Sequence, residues 1–259
     1  MYMESICTIM REGKPYTDVA VYLPLEDVRV DDELPLDLQK VSSKYVYELQ
    51  ETKLPRFLKG RHPLWVSIPF LDDAQYADGR LNCGPAQFNW LYVDTVWLDL
   101  ETVSTLLRLA RLGLPICLVR TPQEPGHTKH SDYDQAVTEL RMLPNVTKDW
   151  NQCVTQPELV AGENLPDFWC TVNGDNHNLF FANPASQAIR YPIRYGQALE
   201  TTASERLIQL NIGGQPFKLT LEFAPQQSIL LQVSPTGVKQ ISVDFDPNPT
   251  GYMKKEQHQ

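Results

Sequence analysis

Apolar and polar positions divide the chain into two halves with different periods. Ile6, Ile9 and Met10 recur at helical spacing between Glu4 and Glu12, and Gly13 followed by Pro15 stops the helix. A helix there needs a surface to pack on, supplied by this chain or by a longer parent. Asp18-Val-Ala-Val-Tyr-Leu-Pro24 is a continuous apolar run, as expected of a strand buried on both faces. The acidic stretch Glu26 to Glu33 reads as a loop, and Leu36 to Leu49 has helical spacing. Leu64 to Ile68 and Phe88 to Val93 predict two more strands, with a turn and a short extended piece at Asp78-Gly-Arg-Leu81 between them. Asp99 to Leu112 sets Val103, Leu106, Leu107 and Ala110 on helical spacing, Gly113 caps it, and Leu114 to Val119 follows as a strand. Strand, helix and strand with such short connections predict a βαβ crossover, and so a parallel sheet with helices on its faces. A final helix is expected over Asp132 to Leu143 after the loop Thr121 to Lys129.

Beyond about residue 150 the period becomes that of extended chain. Phe168 to Val172 and Asn178 to Ala182, joined at Asn173-Gly-Asp-Asn176, predict a hairpin. Leu207 to Ile212 and Phe217 to Phe223 predict a second, across Gly213-Gly214, and Ser228 to Val233 with Val238 to Phe245 a third. This half reads as an antiparallel sandwich or barrel of roughly seven strands. The boundary is expected between Asn145 and Pro166, giving an α/β domain over 1–150 and a β domain over 151–259 with a polar tail from Pro247.

Composition narrows the classes of function. At 259 residues, 42 % hydrophobic and 21 % charged, the chain is that of a globular protein with room for two domains. Its net charge of −9 argues against a phosphate-hugging nucleic-acid binder and an anionic membrane, and is indifferent to neutral ligands such as sugars. No run approaches the about 18 apolar residues of a membrane span. Five scattered cysteines without a Cys-x-x-Cys pair read as buried free thiols, with one bridge left open.

Most chemistry can then be set aside. The first strand runs into Leu25-Glu26-Asp27 without a glycine, so no phosphate loop or dinucleotide fingerprint is present and no cofactor is expected. Cys117 lies inside a strand, and Cys83 precedes Gly84-Pro85 with no helix after it, so neither sits on a nucleophile elbow. His127, His130 and Asp132 fit a loop and a helix cap better than a zinc site. Asp244 to Asn248 opens like a calcium loop but lacks its glycine and has Lys255 where a glutamate belongs, so no metal site is expected. Open parallel sheets bind ligands at the carboxyl ends of their strands. That leaves Glu26 and Asp27 after the first strand, Asp94 after the third, and Glu124 with His127 after the fourth as candidate ligand-binding residues, none of them assigned as catalytic. Trp65, Trp90, Trp97 and Trp169 read as core, and Trp150 as an interface anchor or a sugar-stacking platform.

Several stretches, in order, carry a resemblance. Gly13-Lys-Pro-Tyr-Thr-Asp-Val-Ala-Val-Tyr-Leu-Pro-Leu-Glu-Asp27 is similar to the segment that follows the catalytic barrel in glycoside hydrolase family 106, the α-L-rhamnosidases. Asp78-Gly-Arg-Leu81, Leu91-Tyr-Val-Asp94, Leu109-Ala-Arg-Leu-Gly-Leu-Pro115 and Glu124-Pro-Gly126 continue it. Leu165-Pro-Asp-Phe-Trp-Cys170, Phe180-Phe-Ala-Asn-Pro184 and Tyr195-Gly-Gln197 resemble the β-rich domain beyond. The resemblance implies a glutamine-amidotransferase-like (flavodoxin-like) parallel α/β domain followed by an antiparallel β-sandwich. In that family the catalytic carboxylates and a calcium belong to the preceding barrel, and no residue here matches them. The implied role is an accessory, non-catalytic C-terminal part of a bacterial glycosidase, bracing and walling the barrel. The implied partners are that barrel and a plant or microbial polysaccharide; the implied location is periplasmic or secreted. A stand-alone carbohydrate-binding module, or a glycosidase using the strand-end carboxylates, are the competing readings.

Overall fold

A computed structural model of the chain describes residues 2–31, 54–127, 129–182, 203–224 and 227–241. The first half runs α1 (Tyr2–Arg11), β1 (Lys14–Pro15), β2 (Val19–Tyr22), α2 (Leu25–Asp31), β3 (Leu64–Val66), α3 (Ile68–Asp72), β4 (Gln75–Ala77), β5 (Arg80–Cys83), β6 (Ala86–Phe88) and β7 (Trp90–Val93). It continues through α4 (Leu100–Arg111), β8 (Ile116–Leu118), α5 (Tyr133–Met142) and β9 (Val146–Thr147). The second half is extended: β10 (Val160–Ala161), β11 (Asp167–Asn173), β12 (Asn176–Ala182), β13 (Ser204–Ile212), β14 (Gln215–Phe223), β15 (Ser228–Ser234) and β16 (Gly237–Ile241).

The fold is mixed α/β, with one parallel sheet and several antiparallel ones. The parallel sheet has the spatial order β3-β2-β7-β8-β9. Its central strands are buried throughout, which is why they read as unbroken apolar runs. Alternation sends Ala20, Tyr22, Leu91, Val93, Ile116 and Leu118 to one face, where α4 and α5 cover them with Val103, Leu106, Val137 and Leu140. Val19, Val21, Trp90, Tyr92 and Cys117 point the other way, onto Leu58, Cys153 and Trp150 from the segments that flank the sheet. Helix α4 starts where the Asp99 carboxylate accepts the Thr102 N–H at 2.8 Å.

Two antiparallel sheets, β1-β11-β12-β15-β16 and β10-β13-β14, share a second core that includes Cys170, Leu179, Phe181, Leu210, Phe223 and Leu231. Helix α1 packs on β11 and β12 and buries Ile6, so this chain supplies the surface that the opening helix needs. Strand β1 pairs Lys14 with Val172 and Pro15 with Thr171. That pairing requires Gly13: its φ is +104°, and a Cβ there would lie 2.2 Å from the Val172 carbonyl oxygen.

Some local expectations need correcting. Residues 25–31 form a helix rather than a loop, because Leu25, Glu26 and Asp27 follow Pro24 as a first turn with its acids at the positive end. Phe88 to Val93 is not one strand: Asn89 separates β6, in the small antiparallel sheet β4-β5-β6, from β7 in the parallel sheet. Trp169 is 42 % exposed, since it sits on the outer side of β11 opposite the buried Cys170. The helix expected over Leu36 to Leu49, the strand residues after Ile241 and the Tyr195-Gly-Gln197 stretch lie outside the described residues.

Candidate functional site

The candidate residues gather at the carboxyl end of the parallel sheet, where the carboxylates of Asp27, Asp94 and Glu124 are already engaged. Asp27, fully buried in the first turn of α2, accepts the Thr95 hydroxyl at 2.7 Å and the backbone N–H groups of Val96 and Trp97 at 3.0 and 2.7 Å. It thereby ties α2 to the loop after β7. That loop is tied to the next: Gln123 N–H donates to Val96 and Leu98 N–H to Gln123. Glu124 continues the series, its carboxylate accepting the His130 N–H at 3.0 Å and contacting His130 Nδ1. Asp94 accepts Arg120 Nε at 2.6 Å. His127 is exposed and has no hydrogen-bond partner among the described residues.

Glu26 differs from its neighbours. One carboxyl oxygen accepts the Tyr22 hydroxyl at 2.6 Å and the Thr102 hydroxyl at 3.0 Å, while Oε2 is buried without a partner among the described residues. Burial raises its pKa, against the lowering effect of those two hydroxyls. Tyr133 is nearby, its hydroxyl also buried and unpartnered; burial and the charges of Glu124, Asp134, Asp99 and Glu26 hold its proton on. Glu124 shifts the opposite way. Burial works to raise it, and the hydrogen bonds and charge of His130 outweigh that, so the net direction is down. The structure thus brings Glu26, Asp27 and Glu124 into one zone, with Asp94 pairing to Arg120 beside it and His127 outside it. These groups can hold loops and a proton; the carboxylates of Asp27, Asp94 and Glu124 point at the protein's own donors, while Glu26 Oε2 meets none among the described residues.

The expectation of buried free thiols holds for four of the five cysteines; Cys7 is only half-buried. Cys83, Cys117, Cys153 and Cys170 are buried free thiols, and burial pushes Cys83 up to about 11 and Cys117 and Cys153 up to about 12. Among the described residues no three His, Cys, Asp or Glu side chains converge as a metal cluster, and no helix is long and apolar enough to cross a membrane. Trp150 stacks on Phe57 at 4.9 Å between centroids, with the Arg61 guanidinium over its ring at 5.9 Å, which makes it an anchor on the back of the sheet.

Sequence reasoning missed the opposite end of the sheet. Asp18, 2 % exposed, precedes β2 and pairs with Arg61, 5 % exposed, at 2.8 Å. The same carboxylate accepts the side-chain amides of Asn89 and of Gln156, the latter at 2.9 Å. Arg61 also donates to the Gln156 carbonyl at 2.9 Å. Alongside, Gly60 lets the halves touch, since a Cβ there would fall 2.2 Å from the Val160 carbonyl oxygen. The only local signal was an acid ahead of an apolar run; its partners lie 43, 71 and 138 residues away. Two clefts open here, of about 570 and 490 Å³, both walled by Tyr16 and His177. No protein-family model matches the chain, and no curated protein matches it either.

Proposed function

We propose that the chain is a non-catalytic accessory unit of a glycoside hydrolase resembling the family 106 α-L-rhamnosidases, bracing and walling a catalytic barrel outside it. The observation that carries this reading is the engagement of Asp27, Asp94 and Glu124 by the protein's own donors. A glycosidase needs two carboxyl groups facing a shared substrate space, about 5–10 Å apart. The strand order supports the finer fold, because numbering the parallel strands along the chain gives 2-1-3-4-5, the flavodoxin-like order. The paired antiparallel sheets that follow suit a β-sandwich, the element that the resemblance expects second.

The test mixes the purified chain with a separately produced family 106 catalytic barrel and follows the pair by analytical ultracentrifugation. An aryl α-L-rhamnoside is offered to the chain alone in parallel. A complex, with no turnover by the chain alone, is the expected result. Turnover that disappears in Glu26→Gln or Glu124→Gln would overturn the reading in favour of a glycosidase. The open clefts favour a second reading, a carbohydrate-binding module, in which the chain holds sugar without cleaving it.

A further inference from the structure

The larger cleft at the junction of the halves differs from every other polar zone described above. Its floor is Gly13 to Thr17; Arg80, Pro85 and Gln87 form one wall, and Val172 to Gly174 with His177 form the other. Its volume of about 570 Å³ lies in the range of small-molecule sites. Among the described residues, Lys14 and Arg80 are the charged ones that line it, and no aspartate or glutamate does, in a chain of net charge −9. Neither cation has a side-chain hydrogen bond or ion pair among the described residues. Their neighbours are spent by contrast: Lys59 pairs with Asp167 at 2.6 Å and Arg61 with Asp18 at 2.8 Å.

The frame that presents these groups is stiff. Asp78 and Gly79, at φ +53° and +73°, make the tight left-handed turn that sets Arg80 at the start of β5. Gly174, at φ +59°, closes the β11–β12 hairpin that carries His177. Tyr16 and His177 also line the cleft. The Tyr16 hydroxyl accepts from Gln156 at 3.4 Å, and burial and Asp18 keep its proton on, so it remains a donor. His177 Nδ1 is buried without a partner among the described residues. The adjoining cleft shares Tyr16 and His177, but among the described residues no charged side chain lines it. There Gln209 donates to Asn211, and Asn211 to the Glu158 carbonyl, at 2.9 and 2.7 Å.

We infer that the larger cleft binds a compact polar ligand through one oxyanion, with Lys14 and Arg80 as its counter-charges and Tyr16 as a hydrogen-bond donor. Cations with no carboxylate beside them raise the local concentration of anions, and a guanidinium matches a carboxylate fork to fork. That the anion is carried on a sugar, as in a hexuronic acid, rests on the carbohydrate reading above; the anion preference does not.

The experiment titrates the ¹⁵N-labelled full chain with sodium glucuronate, methyl glucuronate ester, glucose, sodium acetate and sodium phosphate. Glucuronate is expected to move the amides of Lys14, Tyr16, Arg80 and His177. The ester and the Arg80→Gln and Lys14→Gln chains are each expected to bind about tenfold or more weakly, with melting temperatures unchanged. Acetate or phosphate binding as tightly as glucuronate, with the same loss in Arg80→Gln, upholds the anion site and removes the sugar. Ester or glucose binding as well as glucuronate overturns the anion site and leaves the carbohydrate reading standing. No shift with any of the five, or shifts confined to the Gln209 and Gly213 side, overturns the proposal.

Discussion

The two ends of the parallel sheet use the same chemistry to opposite effect. At the carboxyl end, where a ligand would ordinarily enter, Asp27 and Asp94 meet donors from a neighbouring loop and draw the loops together, and Glu124 meets His130 of its own loop. At the amino end a buried carboxylate, Asp18, meets Arg61, Asn89 and Gln156, and the second half of the chain is held against the first. The two clefts described above open beside the amino-end network. A carboxylate at a strand end is therefore no evidence of a site until its partners are counted, and here the count moves attention from one end of the sheet to the other.

That contrast can be broken by substitution. The largest effect is expected for Asp18→Ala, which leaves Arg61 charged and buried without its partner, at about 3–5 kcal/mol of unfolding free energy in a urea titration. Asp27→Ala leaves the backbone N–H groups of Val96 and Trp97 without their acceptor, for about 2–4 kcal/mol. If Asp27→Ala proves the more damaging of the two, the amino end is not the stronger tie. Gly60→Ala drives a methyl group into the Val160 carbonyl and is expected to cost about 1–3 kcal/mol, read in the same titration. A neutral result there would mean that the halves have room to move apart.

Smaller effects separate the acids of the carboxyl end by sign. Glu26 is raised in the folded protein, so its stabilising contribution is full below the ordinary carboxylate range and fades as pH climbs through the folded value. Glu26→Gln mimics the protonated form, so its melting temperature relative to wild type should rise as pH climbs above the ordinary carboxylate range. Glu124 is lowered, so its contribution is present above the ordinary range and lost as pH falls through the folded value. The deficit of Glu124→Gln should therefore be largest at neutral pH and close in acid. Parallel pH profiles for the two variants would refute this assignment. Arg80→Gln, with no partner to lose among the described residues, should change stability by no more than about 0.5 kcal/mol.

What the sequence made legible follows the range of the forces involved. Strands β2, β7 and β8 were visible because a strand buried on both faces leaves a continuous apolar run, and Gly213-Gly214 was visible because a tight hairpin needs positive φ. Helix α2 hid behind its own charge, although Glu26 and Asp27 are what a helix start favours. Asn89 hid because a single residue moves the chain from one sheet to another without altering the apolar pattern around it. The positions of Glu26, Asp27, Asp94 and Glu124 at strand ends were legible, whereas their hydrogen-bond partners were not. The junction cleft was invisible: Lys14, Arg80 and His177 meet only once both halves have folded.

The pairing of β1 with β11 has a consequence for synthesis. Lys14 leaves the ribosome long before Val172, its partner across the sheet. At about 5–20 residues per second the wait is roughly 8 to 30 s, far longer than a hairpin or helix needs to form. Through that interval β1 and the apolar face of α1 have no native partner strand. The nascent chain must carry its own first segment as an unfilled position, to be closed only when β11 emerges.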